Sequence, residues 1–566
     1  MASSPGSSRR RRAQVRSAVT QLPPASARNG WKAWALAALI VLLALFLHSG
    51  SLNAPFVFDD HSLPGDPAIG RADGWVDILA NPARTRPLTY LTFWINERLQ
   101  GFHPWAFHAT NLLVFGLLLG VTALLYRRLL PPVAAVAALV VFALHPLQTE
   151  AVAYVFARSG LLAALFTALA WLAWTAERRW QAVGCFVLAM LAKEEAAAFP
   201  VFLAGYEVFW RKRSLRGLLA PLGAMVAAVA LFAARLFYAI EKTPGAGAGS
   251  EAGDLTPWSY LLTQGRAVWL YLRLLIAPYG QNFDRDWQAS TSLDLATATA
   301  WTALLALVGL GLWFVRRWPE IYWWLGGLLL LTPTSSVLPL ADLTAERRML
   351  LPMLSFSLGV GLLLQRLPRR ATAAAVLALA VTLGALTVRR TNVWRTEETL
   401  WRDAAAKSPN KVRPKLQLAR ALESGGAVRL DERRSLIDEA RRLEPTNPLP
   451  LAELGVFELQ LNDPAQALKA FEQALELSPE DSQIRANIGS SLWLLGRRVE
   501  AVEAFRTALA LDPCNFDARN NLMLAMRTVG MIEQLHKLAQ APPGCRFSAA
   551  QREALEGVEP AGAVVP

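Results

Sequence analysis

Two hydrophobic patterns divide the chain near Arg390. Before that point, long apolar runs alternate with short basic connectors. After it, apolar and charged residues mix at helical spacing. A helix needs about 20 apolar residues to cross a bilayer, and somewhat fewer where its ends are buried in protein. The runs predict about eleven spans, over 31–49, 106–126, 133–147, 158–176, 181–193, 196–210, 215–238, 298–315, 320–340, 348–366 and 371–389. Segments 181–193 and 196–210 are short, and read as a broken pair around Lys193, Glu194 and Glu195. Irregular backbone at that depth requires cover from protein or water. Segment 258–278 carries Gln264, Arg266 and Arg273 among leucines and tyrosines, the pattern of an interfacial amphipathic helix.

The basic connectors test the orientation. With the N-terminus inside, those at 127–132, 177–180, 211–217, 316–319 and 366–370 all fall inside, provided 258–278 does not cross. The tail after Arg390 then lies outside, as do loops 50–105 and 239–297 and the turns at 145–158 and 340–347. Residues 1–30 are rich in Ser, Arg and Pro and predict a disordered cytoplasmic tail. The run from Trp31 to His48 exceeds the h-region of a signal peptide and reads as an uncleaved anchor.

The polar part repeats itself. Pro409, Pro445, Pro479 and Pro513 recur at 34–36 residues, each with an alanine five positions earlier: Ala404, Ala440, Ala474 and Ala508. A 34-residue period of paired helices, with small residues at their contact and proline after the second, is the tetratricopeptide (TPR) signature. The expected fold is therefore all-α: a polytopic helical bundle over 31–390, an α-solenoid of TPR units over 391–545 and a flexible tail over 546–566. Residues 423–427 interrupt one unit. Stacked helix pairs present a concave surface suited to a protein or peptide partner.

Composition sharpens this picture without changing it. The 566 residues are 54% hydrophobic and 18% charged, and the apolar excess sits before Arg390. The net charge of +13 could suggest nucleic acid, but the arginines cluster beside apolar runs, where they set orientation. No nucleic-acid partner is expected. Of the three cysteines, Cys185 lies in a span, while Cys514 and Cys545 share the tail. An oxidising compartment would permit a disulfide pinning the capping segment to the last repeat, and the sequence leaves that pairing open.

Ionisable groups at span ends are functional candidates because a bilayer penalises them. Asp59 and Asp60, His145 and Glu150, Arg158, Lys193 and Glu194, and Glu346, Arg347 and Arg348 all fall on the outer side of the predicted topology. A carboxylate such as Asp59 or Asp60 can take a proton from an attacking hydroxyl. Arg347, Arg348 and Arg158 can clamp a phosphate leaving group through paired hydrogen bonds. The bland readings are helix ends meeting water, snorkelling arginines and a self-neutralising Lys193–Glu194 pair. Walker and Rossmann fingerprints are absent from the sequence, and no Cys/His spacing suggests zinc.

Seven blocks together carry a resemblance: Phe58–Asp60, Arg86–Leu88, Asn111–Leu113, His145–Val152, Lys193–Glu194, Gly280–Asn282, and Pro333–Ser336 through Glu346 and Arg347. They resemble the transmembrane-and-TPR O-mannosyltransferase family, of the GT-C superfamily of glycosyltransferases. The resemblance implies a GT-C-type bundle and an inverting transfer of a mannose-like sugar from a polyprenyl-phosphate carrier to a hydroxyl acceptor. It implies a protein Ser/Thr acceptor presented by the TPR face. It also implies that Asp59 and Asp60 supply the base, and that Glu346 and Arg347 lie near the lipid phosphate. His145, Glu150, Lys193, Glu194 and Asn282 are expected in support. The lipid-linked sugar is the only donor implied, and a divalent metal is left open. The residues also allow a non-catalytic scaffold whose repeats recruit partners for envelope assembly. The Arg- and Ala-rich composition points to a bacterial inner membrane, with the TPR domain periplasmic.

Overall fold

The computed structural model describes residues 30–242, 255–336 and 338–528, together with 535, 538, 545, 547 and 549–558. The expectation for residues 1–29 lies outside them, as does part of the expected loop 239–297. The described elements from Gly30–His48 to Ala549–Val558 are helices and helical turns, joined by irregular stretches such as 277–294 and 338–345.

Seven described helices are long and apolar enough to cross a membrane, against the eleven spans expected. Their burial separates centre from perimeter. The helical segments Val155–Thr175 and Glu346–Leu364 are 78% and 72% buried, while Leu295–Phe314 and Arg216–Lys242 are only 11% and 17% buried. Leucine-rich surfaces that extensive are incompatible with water and are the signature of a membrane protein. Small residues let the central helices approach. A Cβ on Gly361 would lie 2.4 Å from the carbonyl oxygen of Ala134, so the helices Leu350–Leu364 and Pro132–Leu144 meet backbone to backbone there.

Several expected spans are shorter than their apolar runs. Ile321–Leu331 stops at the Thr332–Thr334 turn, where Pro333 cannot continue the helix. The run 196–210 becomes a 3₁₀ turn, the helix Phe199–Gly205 and a π-turn over Tyr206–Trp210. The helix Pro257–Ile276, expected not to cross, is not among the seven, and one face of it is buried against protein while Trp258 and Ile276 stay exposed. Gln264 donates to the Leu343 carbonyl and Arg266 to Ser290, so these two polar residues tie the helix to its neighbours, while Arg273 donates to the exposed Tyr279 carbonyl.

The tail stacks helices in pairs, including Pro448–Gln460 with Pro464–Leu477 and Ser482–Leu494 with Arg498–Leu511. Ala404, Ala440, Ala474 and Ala508 are all fully buried. Gly455 and Gly489 complete the logic, because a Cβ there would lie 2.5 and 2.6 Å from the rings of Phe471 and Phe505. The small residue on one helix makes room for the aromatic on its partner. Residues 423–429 form a 3₁₀ turn between units. The segment expected to be flexible beyond 546 contains the helix Ala549–Val558, whose Leu555 is 2% exposed against the last repeat. Cys514 and Cys545 are joined in a disulfide with Cα atoms 5.1 Å apart.

Candidate functional site

The acidic loop follows the first apolar helix. Phe58 adopts φ +51°, a left-handed conformation that costs a bulky residue on the order of 1–3 kcal/mol and persists only where the surroundings enforce it. Its ring packs against Phe283 and Trp401, both at 6.1 Å. The turn Phe58–Ser62 that follows sends the two carboxylates in different directions. Asp60 is fully buried and accepts backbone N–H groups from Phe156 (2.9 Å), Val57 (3.2 Å) and Val155 (3.4 Å). Burial pushes its carboxyl up to about 7, outweighing those three donors. Asp59 stays exposed and accepts the Tyr154 hydroxyl at 2.8 Å. Of the two expected acids, Asp60 ties the loop to residues 155–156, and Asp59 faces outward.

Tyr154 leads from the acid to the arginine. Its ring lies 5.6 Å from the guanidinium carbon of Arg347. Burial, then the nearby Asp59, holds its hydroxyl well above the usual phenol range, so it remains a donor. Arg347 donates to Glu150 at 2.5 Å and to Asp342 at 3.0 Å, with its side chain still 21% exposed. Glu150 also accepts the Glu346 backbone N–H at 3.1 Å, fixing the start of the next helix. Asp59, Glu150 and Arg347 thus converge around one tyrosine.

Several expected site residues are committed elsewhere. Arg158 is fully buried and donates to Asn96 (2.6 Å), Asn111 (2.7 Å), the Phe107 carbonyl (2.8 Å) and Thr92 (3.3 Å), beneath the ring of Phe93. It braces the bundle and does not present a fork to a phosphate. Arg348 likewise donates to the Asp342 carbonyl at 2.6 Å and to Tyr260 at 3.2 Å. Glu346 turns inward, accepting the Asn282 backbone N–H at 2.7 Å and the Gln281 side chain at 2.9 Å, with Arg390 at 3.6 Å. Asn282 donates to Ser408 of the tail at 2.8 Å. His145 accepts from Leu147 and bonds the Leu275 carbonyl at 3.1 Å, tying two helices together. Lys193 and Glu194 do not neutralise each other: Lys193 pairs with Glu195 at 2.7 Å, and Glu194 with Arg86 at 2.7 Å. Tyr90 lies near Arg86 of this second charged cluster, and its ring meets Phe156 at 6.4 Å.

Sequence reasoning missed the residues that complete the site. Asp342, Asp284 and Tyr154 belong to it, and the start of the tail braces it from outside the bundle. Lys407 donates to the Gln281 carbonyl at 2.7 Å, Lys411 to Asp284 at 2.6 Å, and Arg413 to Asp284 at 2.5 and 2.6 Å and to Asp342 at 2.9 Å. Trp394 and Trp401 close the aromatic layer on Phe283. Only Tyr154, close behind the His145–Val152 block, carried a local signal. Among the described residues, no group of three or more His, Cys, Asp or Glu side chains is arranged to hold a metal ion.

Comparison with known proteins agrees with the resemblance carried by the sequence blocks. A family model described as tetratricopeptide repeat matches residues 454–515. The chain is 26% identical over 481 residues to mouse protein O-mannosyl-transferase TMTC4, covering 69% of this chain and 64% of that protein. It is 24% identical over 433 residues to protein O-mannosyl-transferase F38B6.6 of Caenorhabditis elegans, covering 69% and 60%. Drosophila melanogaster protein O-mannosyl-transferase Tmtc2 matches at 29% over 282 residues, covering 43% and 29%. The chain therefore spans a little under two thirds of the length of the first two relatives. Among solved structures, MamA matches at 15% identity and a TM-score of 0.22, over 28% of this chain and 85% of its own.

Proposed function

We propose that the chain is a membrane glycosyltransferase of GT-C type. It moves a mannose-like sugar from a polyprenyl-phosphate carrier to a Ser or Thr hydroxyl of a protein acceptor, on the extracytoplasmic face of an inner membrane. The observation that carries this reading is the convergence of Asp59 and Arg347 on Tyr154, at 2.8 Å and 5.6 Å. The named relatives supply the sugar and the acceptor class, and the basic connectors supply the face. The repeats supply a surface for the acceptor.

In this mechanism the acceptor hydroxyl gives its proton to Asp59 as its oxygen bonds to the anomeric carbon. The bond from that carbon to the phosphate oxygen breaks, and its electron pair leaves with the carrier phosphate. Arg347, held by two carboxylates and shielded by Tyr154, meets the growing negative charge with donors already oriented. Buried Asp60 fixes the loop that presents Asp59.

The test is transfer by the purified full-length protein in lipid nanodiscs, given radiolabelled polyprenyl-phosphate mannose and Ser/Thr-rich peptides. Transfer by the wild type that is lost in Asp59→Asn and Arg347→Ala supports the reading. Full activity in both variants would defeat it. So would full complementation of a deletion strain by both, which would leave a scaffold.

A further inference from the structure

We propose that Arg413, from the repeat domain, is a positioning residue for transfer, holding Arg347 through Asp342 and the Asp59 loop through Phe58. The proposal rests on the transferase reading above, and adds to it a residue that lies outside the membrane bundle.

The geometry is specific to this side chain. Arg413 bridges two carboxylates that belong to different loops, donating to both oxygens of Asp284 and to one oxygen of Asp342, at 2.9 Å. The other oxygen of Asp342 accepts Arg347 at 3.0 Å. Asp342 is therefore shared, one oxygen to each arginine. Those two guanidinium groups hold its carboxyl well below the usual carboxylate range, with burial opposing them. The same Arg413 guanidinium lies 5.0 Å from the ring of Phe58, the residue in the left-handed conformation immediately before Asp59. One side chain thus touches both arms of the site.

Only an arginine suits this position. Its planar fork can serve two carboxylates and cover an aromatic face together, whereas an ammonium acts as a point charge. Lys411 provides the internal contrast. It contacts Asp284 and the Arg285 carbonyl from the same stretch of tail, but touches neither Asp342 nor Phe58, and reaches Arg347 only through the Asp284 it shares with Arg413. Lys411 fastens the tail to the bundle. Arg413 fastens it and also fixes the site. An acceptor bound along the repeats would then sit on the element that sets the geometry of the arginine.

The experiment uses the full chain in nanodiscs with radiolabelled polyprenyl-phosphate mannose. It compares Arg413→Gln, Arg413→Lys, Lys411→Gln, Asp342→Asn and the double variant Arg413→Gln/Asp342→Asn. A misplacement of an ångström can cost on the order of 100-fold in rate, so Arg413→Gln is expected to lower kcat at least about tenfold while changing the donor KM much less. Arg413→Lys should recover part of this, and Lys411→Gln should stay within about threefold of wild type, because it removes a fastening only. The double variant should fall no further than Asp342→Asn alone, since both act through one path. Hydrogen exchange of segment 341–350 should quicken in Arg413→Gln and not in Lys411→Gln. Equal losses for Arg413→Gln and Lys411→Gln, wild-type kcat in Arg413→Gln, or multiplicative losses in the double variant would overturn the proposal. A wild type that transfers nothing would sink the transferase reading. Hydrogen exchange then decides alone: quickened exchange at 341–350 keeps the positioning role, and unchanged exchange ends it.

Discussion

Tyr154 donates its hydroxyl to Asp59 at 2.8 Å across 95 residues of sequence, from the turn that joins two central helices to the loop after the first. The bond orients the exposed acid, and the same ring shields Arg347. Tyr154→Phe keeps the ring and removes the donor. A hydrogen bond to a charged group contributes about 1.5–3 kcal/mol, so kcat for sugar transfer should fall roughly tenfold or more, with the bundle intact by thermal unfolding. An unchanged kcat would show that the hydroxyl has no part in the chemistry.

Asp60 links stability to pH with an unusual sign. Its folded pKa is raised to about 7 from 3.8, so the folded protein binds the extra proton between those values. The contribution is complete below pH 3.8 and is lost as pH rises toward 7. Asp60→Asn should flatten that part of the melting-temperature profile measured from pH 4 to 8. A slope identical to wild type would show that another group is responsible.

Glu150 and Arg347 form an ion pair at 2.5 Å in which the carboxylate is wholly buried. Breaking a buried pair from one side leaves an uncompensated charge and costs about 3–5 kcal/mol. Glu150→Gln should lower the thermal midpoint of the full-length protein and reduce transfer. The paired change Glu150→Gln/Arg347→Gln should regain much of the stability but none of the transfer. Regained transfer would mean that the arginine serves packing alone.

In the repeats, Gly489 has no room for a methyl group, since its Cβ would stand 2.6 Å from the Phe505 ring. Overpacking of this kind costs about 1–3 kcal/mol. Gly489→Ala should speed hydrogen exchange across Ser482–Leu511 and leave the membrane helices unchanged. Exchange at the wild-type rate would mean that the ring moves aside freely.

The disulfide holds the end of the described chain to the last repeat. In the chain-entropy picture, closing a loop of its 31-residue separation contributes about 3–4 kcal/mol. Cys514→Ser should therefore expose the helix Ala549–Val558 to limited proteolysis before the repeats are cut. Equal resistance in variant and wild type would show that the packing of Leu555 suffices alone.

Much of this architecture is written in local pattern. Apolar runs separate membrane from tail, because lipid and water each impose a composition on every stretch they touch. Ala404, Ala440, Ala474 and Ala508 announced the helix contacts, because only small residues fit where helices cross, and all four are buried. The acidic loop and Arg347 were legible for a related reason: charge beside a bilayer is costly enough to stand out. Partnership was not legible. Arg158 and Arg347 have similar settings at a span end, yet one is sealed beneath Phe93 and the other faces the site. Arg347 meets Glu150 across 197 residues, and Arg413 meets Asp342 across 71. Periodicity records which solvent a residue faces. Which distant charge answers it depends on how the helices pack, and only the folded chain decides that.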